Sequence, residues 1–72
     1  MSRVVALGEE HSVVAFAMVG VAVVAVGDAT EARAAWASLP DDVGLVILTR
    51  SAAEALQPVL HQPGEPLWAV MP

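Results

Sequence analysis

The sequence predicts a small α/β domain: a doubly wound, four-stranded parallel sheet of strand order 2-1-3-4 with helices on both faces, one domain spanning residues 1–72. Two observations lead there. Four short runs dense in β-branched or bulky apolar residues (RVVAL, VAVVAV, VGLVILT and LWAVM) show no alternation with polar residues, the pattern of strands covered on both sides. Between them lie three segments with helical apolar spacing, and strands alternating with helices imply parallel pairing through right-handed crossovers. The order 2-1-3-4 is that of the commoner doubly wound sheets.

The elements follow in turn. Arg3 to Leu7 is the first strand, ended by Gly8. Glu9 to Val19 places Val13, Phe16 and Ala17 on one helical face with Val14 and Met18 beside them, and Glu9 and Glu10 stand where a helix N-terminus favours negative charge. Gly20 is a helix stop, and Val21 to Val26 is a second strand. Asp28 and Glu31 have the spacing of a capping box, Asp28 accepting from first-turn amides and Glu31 reaching back to the Asp28 amide. Ala32, Ala35, Trp36 and Leu39 then form one apolar stripe, closed by Pro40, Asp41 and Asp42. Val43 to Thr49 is the third strand. Ser51 and Glu54 repeat the capping spacing, so a third helix is expected from Ala52, with Leu56 turned inward and a kink or end at Pro58. Gln62 to Pro66 reads as a loop and Leu67 to Met71 as the last strand.

Composition narrows the function classes. At 57% hydrophobic and 15% charged, the chain is too apolar for intrinsic disorder. Three arginines, no lysine and eight carboxylates leave a net charge of -5, which gives a phosphate backbone or an anionic membrane little to bind. The absence of cysteine excludes a disulfide framework, a thiol nucleophile and a thiolate zinc site, and a cytoplasmic location is the default. The fourteen-residue apolar stretch Val13 to Val26 is shorter than the roughly 20 residues a spanning helix needs, and it lacks the flanks of a signal peptide.

Ligands of such sheets sit beyond the carboxyl ends of the strands, which here means Gly8 to His11, Gly27 to Thr30, Thr49 to Ser51 and Met71 to Pro72. Glu9 and Glu10 resemble the acidic pair of a phosphoryl-accepting receiver domain, but the third strand ends in Thr49 instead of an aspartate, and no lysine is present. A dinucleotide would meet one glycine and two negative charges in Gly8-Glu9-Glu10. His11 and His61 have no co-ligands at metal spacing, and Ser12, Ser38 and Ser51 have no base at motif spacing. The sequence therefore predicts no catalytic residue, no metal site and no cofactor. Trp36 shares the stripe of Ala32 and Leu39 and reads as core, while Trp68, on a last and edge strand, is open between core and partner surface.

With these elements placed, the chain resembles the F subunit of the V-type and A-type rotary ATPases. That family opens with a strand and then a Gly-Asp-x-Asp-Thr-Val-x-Gly-Phe-Arg-Leu-Ala-Gly-Val segment, beside which Gly8-Glu9-Glu10-His11-Ser12-Val13-Val14-Ala15-Phe16-Ala17-Met18-Val19-Gly20-Val21 runs without a gap. Gly8, Val13, Phe16, Gly20 and Val21 are kept, whereas His11, Ala15 and Ala17 depart from the pattern. Asp28 matches the acidic start of the family's second helix, Gly44 to Thr49 its Gly-Leu-Ile-Leu-Ile-Thr strand, and Pro66 to Pro72 its strand closing on proline.

The resemblance implies a non-catalytic subunit of the central rotor stalk, bound to the coiled-coil D subunit, facing the catalytic A and B ring and coupling ATP hydrolysis or synthesis to transport of protons or sodium. It would be cytoplasmic and peripheral to the membrane through the complex. Family members continue beyond the last proline into a C-terminal helix credited with regulation. The expectation for a chain stopping at Pro72 is that docking is kept and that regulatory reach is lost. The surface expected to meet a partner collects the strand ends with the last helix and strand: Glu9, Glu10, His11, Arg50, Leu60 and Trp68. Homodimerisation through an apolar edge strand stays open. The rival readings are a receiver-like signalling or interaction module that accepts no phosphate and a flavodoxin-like small-molecule-binding domain.

Overall fold

The computed structural model describes residues 3–62 and 66–71. The elements are β1 (Arg3–Gly8), α1 (Glu10–Ala17), β2 (Ala22–Ala25), α2 (Ala29–Ala37), β3 (Val43–Leu48), α3 (Arg50–Ala55), α4 (Gln57–Leu60) and β4 (Leu67–Val70). The four strands form one sheet, parallel as the alternation of elements predicts, in the order β2-β1-β3-β4 expected by analogy with the commoner doubly wound sheets. The register slips between Arg3 and Val4, where Val43 and Leu45 are the partners and Gly44 is the extra residue. Glycine suits such a bulge because it brings no side chain into the bend.

The two faces of the sheet are filled unequally. Val5 and Leu7 of β1 pair with Val46 and Leu48 of β3 and share one core with Ala32 of α2, Ala52 and Ala53 of α3, and Leu56 and Leu60. Trp36 and Leu39 pack against that cluster, so Trp36 is a core side chain as its stripe predicts. Side chains alternate across a strand, so Ala6 and its register partners Val23 and Ile47 point to the other face. There α1 lies against β1 and β2 and buries Val13 completely. One helix thus stands on one face, while α2 and α3 lie side by side on the other.

That imbalance corrects several expectations. Val14, Ala17 and Met18 are exposed, because α1 covers little of the sheet and ends at Ala17 before Met18 is reached. Gly20 does stop the helix: its φ of 86° is the left-handed conformation that glycine adopts without a Cβ clash. The second strand spans Ala22–Ala25 and is an edge, so Ala22 and Ala25 are exposed and only Val24 and Val26 reach the core. The last strand ends at Val70, and all four of its residues are exposed, for it is the opposite edge.

Local signals explain the helix boundaries. Asp28 accepts from the Glu31 amide at 2.8 Å, the cap its spacing predicts. Glu31 reaches back one residue further than expected, accepting from the Gly27 amide at 2.6 Å instead of from Asp28. The third helix starts at Arg50, not Ala52, because Thr49 is its cap and accepts from the Ala52 amide at 3.3 Å. Ser51 is not the cap. The helix breaks at Leu56, two residues before Pro58, and a new turn follows in which the Val59 and Leu60 amides both donate to the Leu56 carbonyl at 3.0 Å. Proline cannot donate into the preceding turn and crowds the carbonyl four residues back, so the break falls ahead of it. The expected loop from Gln62 to Pro66 lies mostly outside the described residues.

Candidate functional site

The carboxyl ends of the strands are laced by backbone bonds: the Val26 amide donates to the Gly8 carbonyl at 2.9 Å, the Thr49 amide to the Leu7 carbonyl at 3.2 Å, and the Met71 amide to the Leu48 carbonyl at 2.8 Å. At the centre of this rim β1 and β3 approach closely. A Cβ on Gly8 would lie 2.7 Å from the Thr49 Cβ, so only glycine fits there. Thr49 is 3% exposed and the one buried polar side chain among the described residues.

Glu9 occupies the cap position of α1 in an extended conformation, yet its side chain does not cap the helix. It crosses to the neighbouring strand end, where its Oε1 accepts from the Thr49 hydroxyl at 2.5 Å and the Ser51 hydroxyl at 2.8 Å. These bonds hold the Glu9 carboxyl below the usual glutamate range: the Thr49 hydroxyl contributes most, then the Glu9 backbone amide and Ser51, and nearby His11 adds a smaller attraction. A carboxylate with a depressed pKa is a weak base, so Glu9 is poorly suited to take a proton from Ser51 near neutral pH. The cluster is a clasp between two loops.

The clasp has a pH signature. A carboxyl whose folded pKa is depressed stabilises the fold above its unfolded pKa, about 4.3 for glutamate, and loses that contribution as pH falls through the folded value. The melting temperature of Glu9→Gln is therefore expected to fall below that of the parent at pH 7 and to converge with it below about pH 4. A gap unchanged from pH 7 to pH 3 would show that Glu9 acts through packing alone.

Beside the clasp, Glu9, Gly27, Asp28, Ala32, Ser51 and Ala55 line an open hollow of about 260 Å³. That is smaller than the pockets of about 300 Å³ and upward that enclose small ligands. Its two carboxylates are committed, Glu9 to the hydroxyls and Asp28 to the α2 cap. Among the described residues no group of three His, Cys, Asp or Glu side chains is placed to hold a metal.

The residues expected to meet a partner do not form one surface. Glu9 and Arg50 share the rim of a second hollow with Ser12, Thr49 and Met71, and Glu10 and His11 are exposed on the first turn of α1 nearby. Trp68 lies on the edge strand, 38% exposed. Leu60, at 6% exposed, packs in the core. Sequence reasoning missed Thr49 and Ser51 as partners of Glu9, since 40 and 42 residues separate them and no spacing signal spans that distance.

A sequence model of the family described as ATP synthase (F/14-kDa) subunit matches residues 4–71, from the second residue of β1 to the residue after β4. The chain belongs to that family. This F-subunit chain is accordingly a subunit of a V/A-type ATP synthase, and its match includes every strand of the sheet. A comparison with curated proteins finds no match. Among the described residues of the F-subunit chain, no helix is long and apolar enough to cross a membrane.

Proposed function

We propose that the chain is a non-catalytic subunit of the central rotor stalk, docked on the coiled-coil D subunit within reach of the A and B ring, and that it couples ATP hydrolysis or synthesis to proton or sodium transport. The observation that carries this reading is the family match over residues 4–71. The strand-end chemistry supports it, because the one clustered carboxylate there is held by two hydroxyls as a structural clasp. In this reading residues 1–72 act as one docking domain, cytoplasmic and peripheral to the membrane through its complex. A receiver-like module gains no support from the third strand, which delivers Thr49 where a phosphoryl acceptor would stand.

Native mass spectrometry of this chain mixed with the D subunit from the same source tests the proposal. A 1:1 complex is the expected result. A chain that stays alone, or pairs only with itself, would count against the rotor reading.

A further inference from the structure

The face of the sheet that carries α1 is only half covered. Strands lie about 4.8 Å apart and a helix with its side chains is about 10–12 Å across, so one helix covers about two strands. On this face α1 takes β1 and β2. Over β3 and β4 the register and the alternation of side chains leave Leu45 and Ile47 beside Leu67 and Ala69, with Val4 of β1 next to them. Leu67 is 68% exposed, Val4 37%, Ala69 exposed and Leu45 and Ile47 half-buried. Among the described residues this floor carries no charged or polar side chain, and it is wide enough for one helix.

Charge indicates what kind of helix fits. At the strand-end rim of this face stands Arg50, exposed, in a chain of net charge -5. The only ion pair among the described residues is Arg3 with Asp42, at 2.7 Å, so Arg50 has no carboxylate partner among them. It also begins α3, where the positive end of the helix disfavours a cation. Glu9 lines the same hollow, but its carboxylate is bonded to the Thr49 and Ser51 hydroxyls, so a cation with no ion-pair partner among the described residues, beside an apolar floor, complements an apolar segment with a carboxylate at its end. A second copy of the chain fits less well, since both partners would bring a net charge of -5.

We propose that an α-helix of a partner protein lies beside α1 across β3 and β4, with its apolar stripe on Val4, Leu45, Ile47 and Leu67 and a carboxylate meeting Arg50. The inference rests on the rotor-stalk reading and adds to it the face that docks. The test measures binding of the D subunit by titration calorimetry to the parent chain and to Leu67→Glu, Leu67→Ala, Arg50→Glu and Met18→Glu, with thermal melts of each. Met18 is 89% exposed beyond the end of α1, outside the proposed contact.

Leu67→Glu is expected to weaken binding at least about tenfold, with smaller losses for Leu67→Ala and Arg50→Glu and none beyond twofold for Met18→Glu. If the parent binds and both Leu67 variants and Arg50→Glu bind as tightly, the face is wrong and the rotor reading stands. If Met18→Glu is the damaging change, docking runs through the α1 tip and the face is again wrong. If the parent does not bind D at all, the rotor reading fails and this inference falls with it. If sedimentation shows a parent dimer that Leu67→Ala dissociates, the occupant is a second copy and the proposed partner helix is overturned.

Discussion

Replacing Gly8 with alanine is expected to destabilise the protein by about 3 kcal/mol or more, a large part of the roughly 4–11 kcal/mol that a chain of this size commands. The new methyl group would sit 2.7 Å from the Thr49 Cβ, a separation that real Cβ atoms do not tolerate. Thr49 has little freedom to retreat. Its hydroxyl donates to Glu9 and accepts from the Ala52 amide, while its own amide donates to Leu7 across the β1–β3 ladder. Relief would have to come from spreading the two central strands, which would disturb the Val5–Val46 and Leu7–Leu48 pairs at the middle of the core. Urea unfolding monitored by tryptophan fluorescence measures the cost. The double variant Gly8→Ala/Thr49→Gly should recover at least about 1 kcal/mol relative to the sum of the two single changes, because residues in contact couple. Additive losses would show that the steric conflict is not with Thr49.

The second large effect is expected at Leu56. Its side chain is fully buried under the sheet at the break between α3 and α4, and truncation to alanine should cost about 2–5 kcal/mol through lost transfer energy and the cavity left behind. Leu67 is the internal comparison, the same residue type on the edge strand with most of its surface in solvent. Leu67→Ala should change stability by no more than about 0.5 kcal/mol. Chemical denaturation of the two variants side by side distinguishes burial from residue type. A Leu56→Ala cost below about 1 kcal/mol would mean that the core around it collapses to fill the space.

The clasp and the edges show where sequence reasoning reaches its limit. Asp28 and Gly20 were legible because each acts within one turn of its own helix, through an amide three residues on or through its own φ. At the next helix two hydroxyls compete. Ser51 and Glu54 have the spacing of a cap as good as that of Asp28 and Glu31, yet Thr49 caps, and Ser51 is turned to Glu9, a residue brought beside it only when β1 and β3 pair. The same limit applies to the expected partner surface: Glu9 and Arg50 meet at one rim, while Leu60, no more apolar than the exposed Leu67, vanishes into the core.

What the sequence determined by itself is the alternation of strands and helices and their parallel pairing, for these follow from runs of β-branched residues, caps and breakers whose physics is complete within a few residues of chain, while the strand order came by analogy with other doubly wound sheets and the family by resemblance. Only the tertiary structure decided which apolar runs are buried. VAVV and LWAV are as hydrophobic as the central strands, but a strand at the edge of a sheet has one neighbour and here too few helices above it. Burial belongs to a residue's place among distant elements, and no local pattern encodes that place.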